Sequence, residues 1–192
     1  AEEFRKSGYT PADTQTGAVI ITGESARKEN SEIVLRELSD FAGEFVVSTA
    51  GPDLEAIIAG KGSGARQYSI DYQCTVANLD IGGGTTNVVL FDSGEVIAKG
   101  CVDIGGRLVK VTPEGRVEYI SDSVEKMLEA DGLSLNIGDD AEYAKIYRIG
   151  EIMSDLLYRW LKGEDDRLLT AITTPGSSEF KFSKPIRAIC FS

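Results

Sequence analysis

Regular patterning starts at Ala18-Val-Ile-Ile-Thr22, an apolar β-branched run too short for a helix, which reads as a buried strand. Ile33, Val34, Leu38 and Phe41 then fall on one stripe and predict an amphipathic helix over about Ser25 to Phe41. Strand and helix alternate again at once. Phe45-Val-Val-Ser-Thr49 is the second strand, and Pro52 to Gly60 a short helix with proline in its first turn and glycine at its close. Such alternation suits a mostly parallel sheet. From Cys74 the period shortens, predicting strands over 74–81, 85–92 and 95–104 and a hairpin of 108–111 with 116–120 through Thr112-Pro-Glu-Gly115. Asp122 with Glu125 predicts the cap of a helix carrying Val124, Met127 and Leu128. A long helix follows over about Asp139 to Lys162, with a core stripe of Ile149, Ile152, Met153, Leu156, Leu157 and Trp160 and a stop at Gly163. Pro185 to Phe191 reads as a last buried strand. The divisions expected are a connecting segment at 1–16, an α/β part at 17–72 and a strand-rich part at 73–192.

Between two of these strands lies Leu79-Asp80-Ile81-Gly82-Gly83-Gly84-Thr85-Thr86-Asn87. Three glycines leave the backbone free of Cβ atoms and able to take positive φ, so successive N–H groups can converge on one anion. Asp80, at the strand end, can hold a magnesium ion through water, and the hydroxyls of Thr85 and Thr86 can reach phosphate oxygens or the metal shell. An ordinary glycine-rich hairpin turn is the alternative, although a two-residue Asn-Gly or Asp-Gly turn would serve with less loss of chain entropy. Gly60-Lys-Gly-Ser-Gly64 fails the P-loop template, because Gly62 follows the lysine where Ser or Thr is required; it reads as a helix-to-strand connection.

Composition removes several chemistries. The 192 residues carry 20 Lys+Arg against 31 Asp+Glu, a net charge of −11 that repels a polyanionic backbone, so no nucleic-acid partner is expected. No apolar run of membrane-spanning length and no signal peptide are seen, and no membrane partner is expected. The absence of histidine excludes Ser-His-Asp and Cys-His catalysis and the commonest transition-metal ligand. Cys74, Cys101 and Cys190 lie in apolar, strand-like contexts and read as buried free thiols in a reducing compartment.

A strand, Asp80-Ile-Gly-Gly-Gly-Thr85 and two further antiparallel strands resemble the second phosphate motif of the actin, Hsp70 and sugar-kinase ATPase superfamily. The implied fold class is α/β: a partial ribonuclease H-like, actin/Hsp70-type ATPase fold, a mixed sheet with antiparallel strands and flanking helices. More narrowly, Thr16-Gly-Ala-Val-Ile-Ile-Thr-Gly-Glu-Ser-Ala-Arg-Lys-Glu-Asn30, Ser48-Thr-Ala-Gly-Pro-Asp-Leu-Glu55 and Asp80-Ile-Gly-Gly-Gly-Thr-Thr-Asn87 closely resemble the ethanolamine ammonia-lyase reactivating factors, the EutA family. That resemblance assigns Gly82, Gly83, Gly84, Thr85 and Thr86 to the phosphates of ATP and Asp80 to the Mg2+ water shell. Glu24 matches the connecting-segment carboxylate that positions the attacking water, or else is a first-turn glutamate stabilising a helix dipole. Gly105 and Gly106 resemble the superfamily's second glycine pair, with their role left open because Leu108-Val-Lys-Val111 continues as strand. Asn87 stands where some members carry an acidic residue, which would slow hydrolysis.

The resemblance implies ATP-dependent, chaperone-like reactivation of ethanolamine ammonia-lyase by exchange of damaged cobalamin, in the cytoplasm or an ethanolamine-utilising microcompartment. It also implies an N-terminal phosphate motif and a later adenine motif, so the chain reads as a fragment that stops before the adenine site. The alternatives are a small-molecule kinase or phosphotransferase on the same fold and a noncatalytic actin-like assembly protein. Oligomeric state stays open, a homo-oligomer included.

Overall fold

The computed structural model describes residues 2–10, 13, 18–21, 33, 46–49 and 51–192. The chain divides into two compact units, Ala1–Gly51 and Pro52–Ser192. In the first unit α1 spans Glu2–Ser7, and β1 (Ala18–Ile21) pairs in parallel with β2 (Val46–Thr49), Ala18 opposite Val46 and Ile21 opposite Thr49. Parallel neighbours need a crossover between them, as the strand–helix–strand pattern requires. The expected helix over 25–41 lies outside the described residues except for Ile33, which is helical but 63 % exposed and so does not serve the core stripe predicted for it.

The second unit is built on one mixed sheet. Helices α2 (Pro52–Gly62) and α3 (Ala65–Asp71) lead into β3 (Thr75–Ile81), β4 (Thr86–Asp92) and β5 (Glu95–Val102), an antiparallel meander. A hairpin, β6 (Val109–Val111) with β7 (Val117–Ile120), is followed by α4 (Asp122–Ala130), α5 (Tyr143–Leu161), α6 (Arg167–Ala171) and β8 (Ala188–Phe191). β8 returns to lie parallel to β3, giving the order β5-β4-β3-β8. Three antiparallel strands with a fourth parallel to the first, flanked by helices, make the mixed α/β sheet of the ribonuclease H-like class expected from the motif.

Both faces of the sheet are covered, which is why β4 reads as a continuous apolar run, buried throughout apart from half-buried Asp92. On one face Val76, Val89 and Phe91 pack against Ala56 of α2 and Ala65 of α3. On the other, Ala77, Leu79, Val88 and Leu90 meet Ile152, Leu156 and Trp160 of α5 and Leu169 of α6. Leu108, Val117 and Ile120 form a second core with Val124, Leu128 and Ile149.

Several local expectations change for physical reasons. α2 runs past Gly60 to Gly62, and Gly60 serves packing instead of closure, since a Cβ there would lie 2.5 Å from Val89 Cγ1. The stretch after it leads into α3 and not directly into a strand. α4 is capped by Ser121, whose Oγ accepts from the N–H of Val124, leaving Asp122 and Glu125 in the first turn. α5 begins at Tyr143, because residues 138–141 bond to the β6–β7 hairpin: Gly138 N to Val117 O, Val117 N to Asp139 O and Ala141 N to Gly115 O. β8 is a half-exposed edge, with Ile189 46 % and Phe191 66 % accessible, where a buried strand was expected. Cys101 is a buried free thiol as expected, whereas Cys74 and Cys190 are half-buried.

Candidate functional site

Since β3, β5 and β8 point one way and β4 the other, the ends of the first three and the start of β4 meet at one edge of the sheet. Ligands of open α/β sheets favour such carboxyl ends. Asp80, the loop 82–85, residues 103–107 and Ser192 gather there.

The loop is braced from inside and from beside. Gly82 N–H donates to Thr85 O at 2.9 Å, closing a tight turn. Gly106 N–H donates to Gly82 O at 3.0 Å and Arg107 N–H to Gly83 O at 2.7 Å, so the segment after β5 grips the loop's carbonyls and points them inward. The N–H groups of Gly83, Gly84 and Thr85 meet no backbone acceptor among the described residues. Three adjacent donors without backbone acceptors, with the Gly83 and Thr85 carbonyls engaged elsewhere, are the parts of an anion cradle.

Positive φ is not what the glycines supply, because neither Gly82 nor Gly83 adopts it. Close approach is. A Cβ on Gly105 would stand 2.6 Å from Gly83 O and 2.8 Å from Gly84 C, so the two glycine loops can touch only without side chains. Gly105 and Gly106, whose role the sequence left open, are therefore the buttress of the loop. The echo of Asp80-Ile-Gly-Gly in Asp103-Ile-Gly-Gly was the available signal.

Thr86 is fully buried and its hydroxyl donates to Ile104 O at 2.7 Å, a second clamp between the loops. Thr85 is 8 % exposed and follows the three glycines directly, two residues before Asn87. Burial pushes the Cys101 thiol up to about 11, with Asp103 and Glu55 adding to the effect, so it stays neutral. Thr174 Oγ in turn donates to Asp103 at 2.6 Å. The Thr86 hydroxyl is thus engaged with the scaffold, and the loop presents the backbone N–H groups of Gly83, Gly84 and Thr85.

Asp80 pairs across the ladder with Asn87, and directly opposed residues share a face. Asn78 lies two residues back on that face. Asp80 Oδ1 accepts from Ser192 Oγ at 3.1 Å, and Ser192 Oγ accepts from Asn78 Nδ2 at 3.0 Å. Asn78 and Asn87 are 0 % and 3 % exposed, yet neither Oδ1 has a partner. Buried acceptors without donors are rare and call for one. A carboxylate flanked by two orphaned amide oxygens fits a hydrated magnesium ion, whose water ligands are donors. Among the described residues no group of three or more His, Cys, Asp or Glu could hold a metal ion. Glu24 lies outside the described residues. No described helix is long and apolar enough to cross a membrane.

The family profile described as ethanolamine utilisation protein EutA matches residues 1–192. The ethanolamine ammonia-lyase reactivase EutA of Salmonella typhimurium is 35 % identical over 209 residues, covering 99 % of this chain and 44 % of that protein. Its Escherichia coli counterpart is 36 % identical over 178 residues, covering 91 % of this chain and 38 % of that protein. The chain therefore spans less than half the length of these relatives. Among solved structures, an Aquifex aeolicus member of the Ppx/GppA family aligns with 85 % of this chain and 42 % of its own (18 % identity, TM-score 0.45). An MreB protein of Spiroplasma citri bound to ADP aligns with 87 % and 56 % (14 % identity, TM-score 0.42).

Proposed function

This chain belongs to the ethanolamine utilisation protein EutA family, and we propose that it carries the phosphate-binding half of an ATP-dependent, chaperone-like reactivase that rids ethanolamine ammonia-lyase of damaged cobalamin. The observation that carries the nucleotide part is the buttressed loop, with free N–H groups on Gly83, Gly84 and Thr85 next to Asp80. The lyase is the partner suggested by the relatives' names, and its bound cobalamin is a further part of the proposal. The working place is beside that lyase, in the cytoplasm or the ethanolamine-utilising microcompartment.

In this scheme the three N–H groups hold the phosphate oxygens of ATP in a fixed geometry, with no reorganisation needed as charge builds up. Thr86 and Gly105 act at one remove by fixing the loop. Asp80, Asn78 and Asn87 are the acceptors that would hold the water shell of a Mg2+ ion. A Mg2+ ion held there would supply charge neutralisation at the phosphates and polarise the bond to be broken. Glu24 is the candidate for positioning the attacking water. Asn87, an amide at its place in the ladder, accepts hydrogen bonds but adds no negative charge, and this favours a slow turnover. Binding energy from nucleotide and from lyase then shifts the protein between two states, which is what release of a tightly held cofactor demands.

The test is recovery of cyanocobalamin-inactivated ethanolamine ammonia-lyase by the complete protein with MgATP and fresh adenosylcobalamin, beside the Asp80→Ala variant. Recovery that depends on ATP and is lost in the variant supports the proposal. Equal recovery with and without ATP would remove the nucleotide from the function, and no recovery beside an active positive control would remove the lyase.

A further inference from the structure

Arg107 stands directly on the glycine loop. Its main-chain N–H is bonded to Gly83 O at 2.7 Å, and its Cδ lies 3.4 Å from where a Gly83 Cβ would project, so the side-chain stem runs along the loop's surface. The residue is exposed and has no carboxylate partner among the described residues. Elsewhere in the same unit Arg116, Arg148 and Arg159 are paired with acids, whereas Arg66, Arg167 and Arg187, like Arg107, form no ion pair among the described residues; what sets Arg107 apart in a chain with 31 Asp+Glu is its place on the loop. A guanidinium whose stem lies on the loop beside free N–H donors supplies a local positive charge for an anion that the protein's overall field repels.

We infer that Arg107 is a phosphate-binding residue, its guanidinium engaging the polyphosphate cradled by the N–H groups of Gly83, Gly84 and Thr85. This rests on the nucleotide function proposed above. The guanidinium fork can take two phosphate oxygens at once, and its charge matters more as the ligand's own charge grows. The backbone anchor survives any change of side chain, so Arg107 can be altered while the loop keeps its brace.

The experiment is isothermal titration of the complete protein with MgATP and with inorganic tripolyphosphate, a base-free probe, using Arg107→Ala, Arg107→Lys and Lys110→Ala. Lys110 lies over the Tyr119 ring on the same hairpin and removes equal charge away from the loop. Arg107→Ala should weaken both ligands by about tenfold or more, as expected for a lost charge-assisted hydrogen bond, with Arg107→Lys in between and Lys110→Ala close to wild type. The salt dependence of affinity should flatten in Arg107→Ala alone. If wild type binds and Arg107→Ala binds equally, or if Lys110→Ala loses as much, the role of Arg107 is wrong and the loop remains a phosphate site. If wild type binds neither ligand, the nucleotide function itself fails and the inference falls with it.

Discussion

Gly105 approaches Gly83 so closely that a single methyl group between them would sit 2.6 Å from the Gly83 carbonyl oxygen. Backbone has to move to admit it, and the backbone that would move belongs to the phosphate loop.

Gly105→Ala should therefore lower unfolding free energy by about 1–3 kcal/mol, the usual range for overpacking, and weaken MgATP binding at the same time. Gly106→Ala is the control, because its Cβ would come no nearer than 3.9 Å to Gly82 O. Denaturant melts and nucleotide titrations of both variants decide the matter; equal behaviour of the two would dissolve the buttress.

Asp80→Asn keeps the size of the side chain and removes its charge. MgATP affinity should fall by roughly 10–100-fold, the scale on which metal-site partners act, while binding of ATP in EDTA changes little. A comparable loss in EDTA would mean that Asp80 acts on the loop and not on a metal.

Asp166 caps α6, its Oδ1 accepting from the N–H groups of Leu168 and Leu169 at 2.6 and 3.0 Å, and it also pairs with Arg159. Asp166→Ala should cost about 1–2 kcal/mol, as lost caps do. Asp166→Asn keeps an acceptor for the cap and loses the ion pair, so it should cost less. Urea unfolding of the two separates these contributions, and equal losses would assign the effect to the ion pair.

Asp53 sets an acid limit. Burial pushes its carboxyl up, but hydrogen bonds from the Ser178 hydroxyl and N–H together with the Lys99 charge outweigh it, and the net position is below the ordinary carboxylate range. With the folded pKa below the unfolded one, the contribution is complete above the unfolded value, about 4. It disappears as pH falls from there through the folded value. Asp53→Asn should flatten this part of the stability profile below pH 5 and leave its slope at pH 7 unchanged. An unchanged acid limb, measured by denaturation between pH 2 and 7, would show that the Ser178 contact contributes nothing.

Much of the sheet was legible in the chain. β3 to β5 were announced by runs of Val, Ile and Leu broken at Gly82 and Ser93-Gly94, because burial on both faces leaves few polar interruptions. The acid and the glycines at the strand end located the loop for the same reason. Other elements lack a local signature. α3, Ala-Arg-Gln-Tyr-Ser-Ile-Asp, has no apolar stripe and is held by Ser69 and Arg66 reaching Gly94. α6 has five residues, too few to show a periodic stripe, although Asp166 marks its start. α5 starts at Tyr143 and not near Asp139, because residues 138–141 answer to a hairpin distant in sequence. The purpose of Gly105 depends on what a loop more than twenty residues earlier places beside it, which no window of sequence contains.

The parallel return of β8 imposes an order of events on synthesis. β3, β4 and β5 are joined by short turns and can pair as soon as residue 102 has left the ribosome, since local antiparallel contacts form fast. Asp80 must wait, for its partner Ser192 lies 112 residues downstream. The nascent chain thus carries a glycine loop whose carboxylate end is still unfinished, and it is β8 with Ser192 that completes its surroundings.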